Sequence, residues 1–226
     1  MTMPFYVSPE QVMKDRADYA RKGIARGRSL VAATYADGVM LCAENPSSRL
    51  RKISEIYDRI AFAGVGKYSE FDQLRIFGIR AADLKGYAYS REDVDARSLA
   101  NNYAQTLNQI FTHEMKPMEV EILVAEVGDA PTEDRLFHLL YDGTVIDENR
   151  FTVLGGEAEV IAQRLESDYV DGMDQREVLG VCLQALAGPE RTLTPKELEV
   201  AVLVRGNERR AFRRLSEEVL SGLLDA

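Results

Sequence analysis

Three side chains in the first quarter of the chain have groups that could do chemistry. Ser29 and Thr34 have hydroxyls, and Lys52 has an amine at the start of a predicted strand. A serine or threonine hydroxyl is an effective nucleophile when a nearby base, such as the α-amine of the same residue, removes its proton. The alternative for Lys52 is a solvated strand end, because it follows a polar loop that contains Arg49 and Arg51.

The residues in front of Ser29 predict a helix over residues 8–27. Ser8 is a favourable N-cap, and Pro9 suits the first helical position. Gly27 can end the helix in a left-handed conformation. One narrow stripe of small and medium side chains recurs at helical spacing: Met13, Ala17, Ala20 and Ile24.

A β-hairpin is predicted directly after this helix. Residues 29–35 and 39–43 have strand character, and Asp37-Gly38 is a two-residue turn sequence. A hydrolase that uses its N-terminal residue as the nucleophile begins at such a hairpin, with the nucleophile as residue one. Here a helix precedes the hairpin and Arg28 occupies the nucleophile position, so we expect the intact chain to be inactive.

The rest of the chain contains further strand and helix patterns. Strands are predicted at residues 52–56, 59–66, 119–127, 136–141, 144–147, 151–154, 198–204 and 209–213. Helices are predicted at residues 68–86, 94–114, 157–168 and 175–187, and from residue 215 to the end. Hairpins and paired helices without strict βαβ alternation indicate an α+β fold, a four-layer αββα sandwich with an extra N-terminal helix. No linker interrupts residues 1–226, which predicts a single domain.

Composition limits the partners and the compartment. The chain has 226 residues, of which 46% are hydrophobic, and a formal net charge of -9. This charge argues against nucleic acid or an anionic membrane as the main partner. Cys42 and Cys182 lie in apolar segments, which favours buried free thiols in a reducing cytosol over a disulfide. No apolar run is long enough to span a bilayer, so we expect a soluble cytoplasmic protein.

Two sequence features resemble cofactor or metal sites only superficially. Gly64-Val65-Gly66-Lys67 precedes a helix, but Ala61 replaces the first glycine of a phosphate loop, and Tyr68 replaces its hydroxyl ligand for magnesium. His113 and His138 are far apart in sequence, and neither belongs to a cluster with metal-ligand spacing. The sequence therefore predicts a structural turn, no cofactor and no metal site.

The ordered set of local sequences resembles proteasome alpha-type subunits, most closely those of actinobacteria. One of these segments is Lys52-Ile53-Ser54-Glu55-Ile56-Tyr57-Asp58, and the set in order is specific although no single segment is. The other matching segments are residues 19–27, 29–32, 37–39, 43–45, 86–89, 99–111, 119–127, 141–143, 199–203 and 209–214. The resemblance covers nearly the whole chain and implies the αββα fold of N-terminal-nucleophile hydrolases.

The resemblance also implies a function without catalysis by this chain. Alpha-type subunits form the outer seven-membered rings of a four-ring barrel, in which beta subunits with an N-terminal threonine cut proteins. The implied partners are other copies of the chain, beta subunits, a ring-shaped AAA ATPase and protein substrates tagged with the prokaryotic ubiquitin-like protein. No nucleic acid, membrane or cofactor is implied.

The resemblance assigns expected roles to three groups of residues. Lys52 would receive the C-terminal carboxylate of the ATPase in a pocket between subunits. The segment 1–7 would close the axial pore, with the gate formed by Phe5, Tyr6, Val7, Ser8 and Pro9. The narrow stripe of the N-terminal helix, Met13, Ala17, Ala20 and Ile24, would pack against neighbouring subunits.

Two alternative interpretations remain open at this stage. Proteolytic processing could expose Ser29 or Thr34 as the first residue of an active N-terminal hydrolase. Against this, Arg26-Gly27-Arg28-Ser29 lacks the Gly-Thr junction that is usual in beta subunits. The second alternative is a free-standing scaffold that has no protease partner.

Overall fold

The structure is a computed structural model that describes residues 8–47, 49–206 and 210–225. Its α-helices are α1 (Pro9–Ile24), α2 (Tyr68–Ala88), α3 (Ala96–His113), α4 (Ala158–Asp168), α5 (Gln175–Ala187) and α6 (Glu217–Asp225). Its first strands are β1 (Leu30–Tyr35), β2 (Gly38–Glu44), β3 (Ile53–Tyr57), β4 (Ile60–Gly66) and β5 (Val120–Glu126). The remaining strands are β6 (Arg135–Leu139), β7 (Val145–Glu148), β8 (Phe151–Leu154), β9 (Leu198–Val204) and β10 (Phe212–Arg214).

The strands form two antiparallel sheets that pack face to face. The first sheet has the order β10-β9-β2-β1-β8, and the second is a meander with the order β3-β4-β5-β6-β7. Helices α4 and α5 cover the first sheet, and α2 and α3 cover the second. The predicted four-layer αββα sandwich of the N-terminal-nucleophile hydrolase type is therefore confirmed.

The two-residue period of β1 places its side chains in two different cores. Leu30 and Ala32 face the second sheet, whereas Val31 and Ala33 face the helices that cover the first sheet. All four side chains are fully buried. A strand buried on both faces has a continuous apolar sequence, which explains the run at the start of the hairpin.

The hairpin turn lies one residue earlier than the sequence predicted. Tyr35 pairs with Gly38, so Ala36 and Asp37 form the loop and Gly38 begins β2. Gly38 has a φ of 146°, and a Cβ there would overlap the carbonyl oxygen of Leu203 in the neighbouring strand β9. The glycine therefore permits close strand packing and does not form the turn itself.

The predicted helix ends at Gly27 and Gly86 are wrong, and both glycines instead allow neighbouring elements to pack closely. Helix α1 ends at Ile24, and Gly27 is not left-handed. A Cβ on Gly27 would lie 2.8 Å from Val65 Cγ1, so the glycine lets the connection to β1 approach β4. Gly86 lies inside α2, where a Cβ would overlap the hydroxyl of Tyr57.

Candidate functional site

Arg28 lies two residues before β1, in the connection from α1, at the position that the sequence comparison assigned to a nucleophile. Its guanidinium forms an ion pair with Glu44, the last residue of β2. The same carboxylate accepts hydrogen bonds from Arg191 Nη1 at 3.2 Å and Nη2 at 3.3 Å. The Glu44 side chain is 8% exposed, so this carboxylate is a buried anchor for two arginines.

Lys52 immediately precedes β3, and its side chain contacts the main chain of Arg28. Its Nζ donates a hydrogen bond to the carbonyl oxygen of Arg28 at 2.6 Å. Burial lowers the pKa of Lys52 from its ordinary value of 10.5 to about 8, against the opposing effect of the Glu199 and Glu44 carboxylates. Below about pH 8 the amine is a partly buried cation that can attract a carboxylate.

The structure adds Glu199 to this site, a residue that the sequence reasoning did not identify. Glu199 lies in β9 and is 2% exposed. Its Oε2 accepts hydrogen bonds from the Lys52 amide at 2.9 Å and from Asn45 Nδ2 at 2.7 Å. Its carboxylate also pairs with the Arg214 guanidinium. One feature could have revealed it, since Glu199 is the single charged residue in the apolar run 198–204.

A cavity of about 470 Å³ opens beside the connection between α1 and β1. Its charged lining consists of Arg26, Arg28, Arg164, Arg191, Glu44, Glu157 and Glu190. Arg164 donates to the carbonyl oxygen of Ala185 at 2.9 Å, and Arg191 donates to that of Leu186 at 3.1 Å. These arginines thus satisfy carbonyl groups in the last turn of α5.

Neither candidate nucleophile is available in the intact chain. Ser29 is 7% exposed and follows Arg28 in an uninterrupted backbone. Thr34 lies toward the other end of β1, where its Oγ1 is 2.9 Å from Tyr169 Oη and donates to the carbonyl oxygen of Arg150 at 3.2 Å. Exposing Thr34 as a first residue would remove residues 30–33 of the β1 strand.

The predicted stripe of α1 divides between two environments. Ala20 and Ile24 are buried against Tyr141 of the same chain, with Ala17 partly buried beside them. Met13, in contrast, is 37% exposed. The C-terminal half of the stripe therefore holds α1 on the body of the subunit, and only its N-terminal half is open to another chain.

The predicted gate residues fall at the edge of the described structure. Ser8 caps α1, since its Oγ accepts a hydrogen bond from the Gln11 amide at 3.3 Å. Pro9 is the first helical residue, and both Ser8 and Pro9 are exposed. Phe5, Tyr6 and Val7 lie outside the described residues.

The glycine turn before α2 and the two histidines are the sequence features that resemble cofactor or metal sites. Gly66 ends β4 with a φ of 111°, which permits the Lys67 amide to donate to the carbonyl oxygen of Glu119 at 2.9 Å. His138 is buried, with Nε2 3.6 Å from the Glu121 carboxylate. His113 is exposed on α3. Within residues 8–47, 49–206 and 210–225, no group of three or more His, Cys, Asp or Glu is arranged to hold a metal ion.

The two cysteines are buried free thiols, as the sequence predicted. Cys42 lies in β2 and Cys182 lies in α5, and both are fully buried in the core between the first sheet and its helices. Burial raises the pKa of the Cys182 thiol to about 12. In the part of the chain that the structure describes, none of the helices combines the length and hydropathy needed to cross a membrane.

Comparison with known proteins agrees with the fold. The family model described as "Proteasome subunit" matches residues 24–203. "Proteasome subunit alpha" of Acidimicrobium ferrooxidans is 61% identical over 226 residues, covering 100% of this chain and 97% of the relative. The proteins of the same name from Sanguibacter keddieii and Acidothermus cellulolyticus are 58% and 54% identical, covering 99% of this chain and 90% and 98% of those relatives. The chain therefore belongs to the proteasome subunit family, and it is similar to the alpha subunits of actinobacteria.

Proposed function

We propose that the chain is a non-catalytic alpha-ring subunit of a proteasome core particle, which surrounds beta subunits that carry the catalytic threonine. The observation that supports this most directly is the occupied start of β1. There the connection from α1 contains Arg28, whose guanidinium binds Glu44 and whose carbonyl oxygen accepts a hydrogen bond from Lys52. An arginine in this position has no hydroxyl to attack a peptide bond.

The exposed half of α1 is the surface that we assign to ring formation. Val12 and Met13 are each 37% exposed, and Tyr19 is 49% exposed. Because Ala20 and Ile24 pack within the chain, they fix the direction of α1 and do not themselves contact a neighbour. In a closed ring of identical subunits, such a helix would pack against the adjacent copy.

Lys52 is the residue to which we assign docking of a ring-shaped AAA ATPase through its C-terminal carboxylate. Its amine is cationic below about pH 8 and is held beside the α1–β1 connection by the Arg28 carbonyl oxygen. A partly exposed lysine–carboxylate pair is worth about 0 to 1 kcal/mol. Useful affinity therefore requires several tails that dock at once on copies of the ring.

The gate is the third part of the proposal. Copies of the segment 1–7 would meet at the ring axis and limit the access of protein substrates, which we expect to be tagged with the prokaryotic ubiquitin-like protein, in the cytoplasm. Deletion of residues 2–7 should raise peptide hydrolysis by the assembled particle. An unchanged rate would remove the gate from the proposal.

The docking role is tested with the chain co-expressed with a beta subunit. Lys52→Ala should leave particle assembly and peptide hydrolysis intact but reduce ATPase-dependent protein degradation. Lys67→Ala, at an exposed lysine just before α2 and outside the α1 surface assigned to the ring, is the matched control for loss of a lysine. Full ATPase coupling in Lys52→Ala would refute docking, and electron microscopy of the particle would test the ring itself.

An active N-terminal hydrolase is the second candidate, because Lys52 lies beside the residue that immediately precedes Ser29. It requires cleavage after Arg28. The intact mass of the chain purified from the assembled particle decides between the two candidates. A full-length mass supports the ring subunit, and a species that lacks residues 1–28 supports the hydrolase.

A further inference from the structure

Glu199 joins four separate parts of the chain at the start of β3. Its carboxylate accepts hydrogen bonds from the Lys52 and Ile53 amides at 2.9 Å and 3.3 Å. It also binds Asn45 Nδ2 at 2.7 Å and pairs with Arg214. The Arg214 Nη2 in turn donates to the carbonyl oxygen of Ile53 at 2.7 Å. Main-chain groups on both sides of the Lys52–Ile53 peptide are therefore fixed by one ion pair.

Glu199 also supplies negative charge near the Lys52 amine. Three charged groups act on that amine: Glu199 from β9, Glu44 from β2, and Arg28 from the connection between α1 and β1. The two carboxylates favour the ammonium form, whereas burial and the Arg28 guanidinium disfavour it. Because Arg28 and Arg191 both pair with Glu44, much of the Glu44 charge is already compensated.

We propose that Glu199 is a positioning residue for the carboxylate-binding role of Lys52, because its buried carboxylate holds the Lys52 and Ile53 amides and so fixes the main chain that carries the Lys52 side chain. This inference rests on the proposed docking function. It differs from a stability role, which any buried ion pair can have. A positioning residue must change the titration of Lys52, and a merely structural one need not.

The fold provides a matched control at the opposite end of β9. Asp134 is a carboxylate whose side chain is 1% exposed, like that of Glu199, and it pairs with Arg205 at 2.8 Å. It also accepts a hydrogen bond from the Gly128 amide at 3.0 Å. Glu199→Gln and Asp134→Asn therefore remove the same kind of buried charge, but only the first removes it beside Lys52.

The first measurement is independent of docking. Trace acetylation of the assembled particle with acetic anhydride, followed by mass spectrometry, reports the neutral fraction of the Lys52 amine as a function of pH. In Glu199→Gln the labelling midpoint should fall by at least about 0.5 pH units relative to the parent particle. In Asp134→Asn it should stay in place. Equal midpoints in Glu199→Gln and the parent would overturn the inference and leave docking by Lys52 unaffected.

A second variant covers the case in which Glu199→Gln does not assemble. Arg214→Gln removes the guanidinium that compensates Glu199 but keeps a hydrogen-bond donor. The full charge of Glu199 then acts on Lys52, so its labelling midpoint should rise. A midpoint that falls or stays constant in Arg214→Gln would contradict the electrostatic argument.

The second measurement follows function in the same particles. If Lys52 binds the ATPase carboxylate, the pH at which ATPase-dependent degradation is half lost should fall in Glu199→Gln by the same amount as the labelling midpoint. A midpoint fall of about one pH unit would lower the charged fraction of Lys52 at pH 7.5 about threefold. A shifted labelling curve with unchanged degradation would overturn docking by Lys52, and with it the purpose assigned to Glu199.

Discussion

Lys52 is expected to destabilise the folded chain at neutral pH. The lysine cation is partly buried beside Arg28, and its pKa falls from 10.5 to about 8 on folding. A tenfold change in proton affinity is worth about 1.4 kcal/mol. The fall therefore corresponds to about 3 kcal/mol by which the folded state disfavours the charged amine at pH 7. Methionine has a similar length and no charge, so Lys52→Met removes this cost.

The substitution also removes one favourable contact. The hydrogen bond from Lys52 Nζ to the Arg28 carbonyl oxygen contributes about 1 kcal/mol. The net expectation is that Lys52→Met raises the free energy of unfolding at pH 7 by about 2 kcal/mol. For a domain of this size the melting temperature should rise by about 4 to 8 °C.

The sign of the pH dependence follows from proton uptake. Between about pH 8 and 10.5 the unfolded lysine binds a proton that the folded lysine has released. The stability of the parent chain therefore rises with pH across this window relative to Lys52→Met. The advantage of the variant should be greatest below about pH 8, disappear between about pH 9.5 and 10, and reverse by up to about 1 kcal/mol as pH rises past 10.5, where only the lost hydrogen bond remains.

Denaturant unfolding of both chains from pH 6 to 10 measures this difference directly. Subtracting the two curves cancels the contributions of all other titrating groups. Lys14→Met, on the exposed side of α1, is the control for replacing a lysine by methionine. The reasoning is refuted if Lys52→Met is less stable than the parent at pH 7, or if the difference between them does not change with pH.

Three further expectations concern stability and use thermal denaturation of the isolated chain. Gly78→Ala should destabilise by about 1 to 3 kcal/mol, because a Cβ there would overlap the hydroxyl of the fully buried Tyr103. Gly180→Ala, in a helix with nothing within 4 Å of the added Cβ, should instead stabilise by about 0.5 to 1 kcal/mol. A lower melting temperature for Gly180→Ala would contradict the packing argument. Tyr35→Phe should raise the melting temperature or leave it unchanged, since the buried Tyr35 hydroxyl has no hydrogen-bond partner among the described residues; a clear decrease would reveal a partner.

The sequence was sufficient for features that depend on neighbouring residues. Ser8 and Pro9 predicted the start of α1, and apolar periodicity predicted α5, β8 and β9 with their observed ends. Caps and side-chain periodicity act over a few residues, so a single segment contains the information. Arg28 after a capped helix already argued against a free nucleophile at the start of β1.

Features that join distant parts of the chain required the tertiary structure. Glu199 binds the Lys52 amide across 147 positions, and nothing near Lys52 in the sequence indicates that partner. Gly27 and Gly86 were interpreted as helix ends because glycine is common there. Their actual purpose depends on Val65 and Tyr57, which other elements bring close.

The apolar stripe of α1 is another feature whose partners the sequence did not determine. Its helical period established that one face of α1 is apolar, but both a subunit core and a subunit interface bury apolar faces. Only the folded chain separates Ala20 and Ile24, which are buried against Tyr141 of the same chain, from Met13, which is exposed. Local chemistry therefore determined the elements and the absence of a nucleophile at position 28. The packing of sheets and helices decided the environment, charge and partners of Lys52, because burial and electrostatic interactions depend on distance in space.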